Sequence, residues 1–250
     1  MRALFKSGKS TRVPVRDPVH SDIPEVHGGE LASVYYGQRI AGDFYDFIRV
    51  APDHVLFVLL DAAGGRKDTR DILSAVQHCF RTLGAELFAR RDINDADAMM
   101  QVCLQLNQVV LKAASGVHSC PALSGCYDER SGIVCYFNAG HTPGLVRDRA
   151  GVSELPATGL PLGLFSHMVS DAPMVALEPG AALLLVSRGV VEGKYKAQEF
   201  GLERVKEVLQ QSRAPSAKEL CVSVLDHLHR FMHAAPSHDD VTALALVRNS

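Results

Sequence analysis

The sequence predicts an α+β fold in which antiparallel sheets are covered by helices. Strands and helices come in blocks rather than in alternation, the connections are of hairpin length, and the strongest strand segments are apolar at successive positions. A doubly wound βαβ chain would instead alternate single strands with single helices and build a parallel sheet. With 250 residues, 47% of them hydrophobic, the chain can bury a large core within one domain.

Residues 1–23 are rich in Arg, Lys, Ser and Pro without periodicity, and read as a flexible basic arm ahead of a domain over 24–250. Within the arm, SGKST (7–11) resembles the end of a phosphate-binding loop, but Ala3 stands where that motif requires glycine and no strand precedes it. ELASVYYGQRI (30–40) alternates as a strand does. DFYDFIRV and HVLFVLLDAAGG read as two strands joined at Ala51-Pro52-Asp53, the second central because it is almost continuously apolar.

Two helices follow. Over 69–90, Ile72, Val76, Cys79, Phe80, Leu83 and Leu87 recur at helical spacing, and 92–114 carries the same period after the cap candidates Asp92 and Asn94. A meander is expected at 121–129, 132–140 and 143–151, with turns at Ser131-Gly132 and Ala150-Gly151. MVALEPGAALLLVSRGVVEG then supplies two strands around Glu178-Pro179-Gly180, the second delivering Ser187-Arg188-Gly189 at its end. GLERVKEVLQQ and SAKELCVSVLDHLHRFM are helical, and VTALALV closes the domain as a strand after Asp239-Asp240.

A net charge of −2 and a pI near 6.6 offer no electrostatic footprint for nucleic acid. No stretch has the roughly 18 apolar residues of a membrane helix, and the N-terminus lacks a signal-peptide core, so a cytoplasmic protein with no membrane partner is expected. The six cysteines show no CxxC or zinc-ligand spacing and read as buried, reduced thiols.

Three acids share one context. Asp43 follows Gly42 at the head of a strand, Asp61 ends an apolar strand before small residues, and Asp239 stands just ahead of the last strand. Carboxylates so placed gather oxygen ligands for Mg²⁺ or Mn²⁺, although a strand-end Asp also serves as a turn or cap residue.

Taken together, GDFYDF, LLDAAGG, NAGHTPGLV, GLPLGLF, LLLVSRGVVEG and HDDVTALALV resemble, in order and spacing, the PPM-type serine/threonine phosphatases of the stage II sporulation protein E branch. The resemblance covers about residues 23–249. It implies a two-sheet antiparallel β-sandwich flanked by pairs of helices, with a two-metal Mn²⁺ or Mg²⁺ site at one edge. There a metal-activated water attacks a phosphoserine or phosphothreonine. Carried over, the metal set is Asp43, Asp61, the Ala62 carbonyl and Asp239. Asp240 falls behind them or caps the strand, Asp46 is structural, His141 packs or hydrogen-bonds, and His238 lies in a loop.

Two departures stand out. Arg188 occupies the position of a family ligand acid (SRG in place of TDG), and Arg66 to Arg70 bring positive charge where small residues usually stand. A unit charge beside a like charge at 4 Å costs about 4 kcal/mol at an effective dielectric of 20, roughly three decades of cation affinity. A guanidinium can instead bridge two carboxylates, so Arg188 either replaces a cation or, as a solvent-facing turn residue, never meets the cluster. The functional expectation is a phosphatase acting on a phosphorylated signalling protein through Asp43, Asp61 and Arg188, weakened by the lost acid. The alternative is an inactive pseudophosphatase that binds a protein in a partner-switching pathway.

Overall fold

The computed structural model describes residues 22–36, 42–62, 66–90, 94–113, 119–168, 171–214, 216–233 and 239–249. Almost all of the expected basic arm, the SGKST segment, His238 and the side chains of Arg66 and Lys67 lie outside the described residues.

In chain order the strands and helices are β1 (Gly29–Tyr36), β2 (Asp43–Ala51), β3 (His54–Asp61), α1 (Arg66–Phe88), α2 (Asp95–Ala113), β4 (Ala122–Asp128), β5 (Ile133–Ala139), β6 (Gly144–Arg147), β7 (Val152–Leu155) and β8 (Met174–Ala176). There follow β9 (Ala182–Val186), the single turn α3 (Arg188–Val191), β10 (Lys194–Tyr195), β11 (Gln198–Glu199), α4 (Gly201–Gln211), α5 (Ala217–Phe231) and β12 (Val241–Arg248). They form one sheet in the order β1-β12-β9-β6-β7, a second in the order β2-β3-β4-β5-β8, and the small hairpin β10-β11. Pairing between neighbouring strands is antiparallel in all three.

The two five-stranded sheets pack face to face, and helices cover their outer faces, because the apolar residues of the central strands point both ways. In β3, Val55, Phe57 and Leu59 face the other sheet, while Leu56, Val58 and Leu60 pack under α1 and α2. β12 divides in the same manner: Leu244 and Leu246 enter the layer between the sheets, and Val241, Ala243 and Ala245 lie under α4 and α5. A strand buried on both faces reads as an unbroken apolar run, which is why β3, β9 and β12 were visible in the sequence. Each fully buried Leu or Phe contributes on the order of 1.5–3 kcal/mol, so these three strands carry much of the core.

α1 is also fastened electrostatically. Asp46 is fully buried beneath it and accepts from Arg81 through both oxygens, Nε to Oδ2 at 2.8 Å and Nη2 to Oδ1 at 3.0 Å. Gln77 Nε2 adds a bond of 3.2 Å, and the Phe47 amide a fourth. Asp46 is thus structural, as its position three residues after Asp43 suggested, but its principal partner is a helix rather than backbone beside the acidic cluster.

Local differences from expectation have local causes. The strand expected over 143–151 breaks after Arg147, because the Asp148 carboxylate accepts the amides of Ala150 and Gly151 and closes a turn before β7. Beyond Ser187 the chain does not stay extended: Val190 and Glu192 donate back to the carbonyls of Ser187 and Arg188, giving α3. Of the cysteines, five are buried and Cys79 is half-buried, all as free thiols. Among the described residues no helix is long and apolar enough to cross a membrane.

Replacing Arg81 by Ala strands the buried Asp46 carboxylate, and is expected to cost about 3 kcal/mol of stability in urea denaturation. Arg81→Lys, which cannot form the planar fork, should recover only part of it; a neutral Arg81→Ala result would mean that α1 is held by packing alone.

Candidate functional site

Antiparallel register sets the first residue of β2 opposite the last residue of β3, so Asp43 and Asp61 are cross-strand partners at one edge of their sheet. The start of β12 arrives at the same edge from the other sheet. Thr242 reaches across, its Oγ1 donating to Asp43 Oδ2 at 2.7 Å, and Asp239 stands just before it. Two glycines make this convergence possible. A Cβ on Gly42 would collide with the Ala62 carbonyl oxygen, and one on Gly189 would collide with the Asp240 carbonyl oxygen.

Arg188, delivered by the turn after β9, lies within the cluster. Its Nε is 3.2 Å from Asp61 Oδ2 and its Nη2 is 3.4 Å from Asp239 Oδ2, so one guanidinium spans two of the three acids. The Arg188 side chain is half exposed (49%) and Asp61 is buried (8%), which makes the contact with Asp61 the stronger of the two. The solvent-facing alternative for Arg188 is thereby excluded. Ser187 is buried beside it, accepts the Thr242 amide at 3.0 Å and donates to the Asp240 carbonyl at 3.5 Å.

Burial dominates the electrostatics. Asp43 is pushed up from 3.8 to about 7 by desolvation, against the hydroxyls of Thr242 and Ser187, which favour its ionised form; Asp61 and Asp240 add like-charge repulsion. Asp61 is also raised by burial, with Arg188 pulling the other way. Desolvation, more than like charge, therefore disfavours the ionised forms of both acids.

Of the residues singled out from sequence, the structure brings together Asp43, Asp61, Ala62, Arg188, Asp239 and Asp240. Asp240 is buried, its amide bonded to Asp239 Oδ1 at 2.9 Å. Asp46, on β2, is held by Arg81 of α1, and Arg70 is exposed on that helix. His141 is buried, with its amide on Asn138 Oδ1 at 2.8 Å and its Nδ1 3.0 Å from the Thr142 carbonyl. Burial pulls its imidazole down to about 4, so it is neutral at physiological pH. Thr242 and Ser187 were missed as partners of Asp43, although the DDxT and SRG stretches that contain them had been picked out.

Residues 51–249 match the family described as stage II sporulation protein E (SpoIIE). Among curated proteins, the chain is 23% identical over 248 residues to protein IcfG of Synechocystis sp., covering 91% of this chain and 39% of that protein. It is 21% identical over 202 residues to the phosphoserine phosphatase RsbP of Bacillus subtilis, covering 80% and 48% respectively. The chain thus spans less than half the length of these two relatives. Among solved structures, the PP2C phosphatase domain of Bacillus subtilis SpoIIE, with a fragment of its regulatory domain, superposes with a TM-score of 0.72 at 14% identity, covering 88% of this chain and 64% of that one. The two-sheet, helix-flanked architecture is the fold of that domain.

A carboxyl raised in the folded state keeps a proton that the unfolded chain sheds above about pH 4. Its contribution is therefore most favourable at low pH and is lost as the pH rises towards about 7. Denaturation midpoints should fall across that window, by at most about 1.4 kcal/mol per pH unit from Asp43, and Asp43→Asn should remove this component. A variant with the same pH profile as the parent would refute the assignment.

Proposed function

The chain belongs to the stage II sporulation protein E family of metal-dependent PPM-type phosphatases, and we propose that residues 24–250 form a phosphatase domain acting on phosphoserine or phosphothreonine of a signalling protein, attenuated by Arg188. The observation that carries this reading is the convergence of Asp43, Asp61 and Asp239 from three strands of two sheets onto one edge. In the family pattern these are the acids that hold metal.

The donor set fits a hard divalent cation, Mn²⁺ or Mg²⁺: the carboxylates of Asp43, Asp61 and Asp239 and the carbonyl of Ala62 are all oxygen ligands. When bound, such a cation supplies Lewis-acid polarisation of a phosphoryl oxygen and an acidified water. The chain's own residues set the terms. Thr242 fixes the orientation of Asp43 through its hydroxyl, and the Ser187 hydroxyl favours the ionised form of the same acid. Arg188 neutralises the same Asp61 and Asp239 oxygens that a second cation would need, and its fork suits a phosphate oxygen pair at the half-exposed rim.

The bridging geometry of Arg188 favours a second reading, in which the guanidinium takes the cation's place entirely. The domain then binds a phosphorylated partner of a partner-switching pathway without turnover.

Hydrolysis of p-nitrophenyl phosphate and of a phosphoserine peptide, titrated with Mn²⁺, separates the two. For the attenuated phosphatase we expect measurable Mn²⁺-dependent turnover that Asp61→Ala abolishes. Arg188→Asp should tighten apparent Mn²⁺ affinity by up to about three decades, the size of the repulsion removed. Turnover that appears only in Arg188→Asp selects the pseudophosphatase, and turnover in neither protein sinks the proposal that this edge hydrolyses phosphoesters.

A further inference from the structure

At the opposite end of β3 from Asp61, a second group of metal-ligating side chains meets on the helix-covered face of the sheet. His54 is the first residue of β3, Asp95 the first residue of α2, and Cys126 lies within β4. One ligand atom from each, an imidazole nitrogen, a carboxylate oxygen and the thiol sulfur, lies within 4.8 Å of the others. The imidazole and carboxylate are already 3.4 Å apart, Nε2 to Oδ1. Tetrahedral zinc, with bonds of about 2.0–2.3 Å, sets its ligand atoms roughly 3.5 Å apart, so small side-chain rotations would close the set.

A second observation points the same way. Cys135 stands directly opposite Cys126 in the β4–β5 register, both are buried in the same core cluster, and Asp95 acts electrostatically on both thiols. A divalent ion would bind the thiol as thiolate, with its charge offset by Asp95. The mixture of one nitrogen, one oxygen and one sulfur selects a borderline-soft ion over Mg²⁺ or Ca²⁺. Phe88, whose ring lies 5.8 Å from that of His54, and the buried sheet face shield the site on its apolar side.

We propose that His54, Asp95 and Cys126 form a structural zinc site that clamps the start of α2 to β3 and β4. The site is independent of the acidic edge. The eight residues of β3 separate His54 from Asp61 by roughly 23 Å, and the two sites use different donor types.

Cobalt(II) added to the purified, reduced full-length chain is the test, because thiolate ligation gives an ultraviolet charge-transfer band and tetrahedral coordination gives intense visible bands. We expect one equivalent to produce both, and one equivalent of zinc to displace it. His54→Gln and Asp95→Asn lie at half-buried positions and should fold, as circular dichroism can verify; each should weaken cobalt binding at least tenfold. Asp61→Asn should leave the spectrum unchanged. Absence of the charge-transfer band in the parent chain overturns the proposal, as does a band that survives undiminished in both His54→Gln and Asp95→Asn. Because the readout is spectroscopic, it stands or falls separately from any phosphatase activity.

Discussion

Burial on both faces is the constraint from which the rest of this structure follows. Each central strand presents apolar side chains to the opposing sheet and to a helix pair, so a charged group in the sheet interiors must be paired. Asp46 illustrates the exception: it survives at the sheet–helix boundary only with Arg81, Gln77 and a backbone amide around it. Acids that must stay reactive are pushed to the strand ends. There the two sheets come close enough for Thr242 of one to hydrogen-bond Asp43 of the other.

At that edge, desolvation outweighs the charge and hydrogen-bond effects on Asp43 and Asp61. Burial raises Asp43 and Asp61 towards neutrality, and each acid makes its neighbours harder to ionise. A cation resolves the conflict, and Arg188 supplies one that is covalently part of the chain. A guanidinium has a fixed single charge and a planar geometry, whereas a divalent ion concentrates two charges at a point. Whether an arginine suffices is therefore a question about charge density, and its half-exposed position leaves it able to move aside.

Much of this was legible in the sequence because double-sided burial leaves an unmistakable trace. The apolar runs of β3, β9 and β12 and the helical period of α1 announce themselves, and Asp43, Asp61 and Asp239 are conspicuous where such runs begin or stop. Pairing across sheets leaves no such trace. That Ser187 and Thr242 serve Asp43 depends on how two sheets are registered, which no local pattern encodes. The grouping of His54, Asp95 and Cys126 was hidden for the same reason, since its members come from distant segments with no motif spacing. The β10–β11 hairpin escaped because two-residue strands carry no periodicity.

β12 sits inside its sheet, between β1 and β9, although it follows every other strand in the chain. The sheet is therefore a gap until its last strand is made: β1 and β9 must wait with unpaired edges, separated by more than a hundred residues of intervening structure. Such late closure makes folding slow and exposes template-like edges to other chains during synthesis. It also means that the acidic edge is completed last: Asp239 and Thr242 arrive with the strand that seals the core and join the Asp43–Asp61 pair of the β2–β3 hairpin.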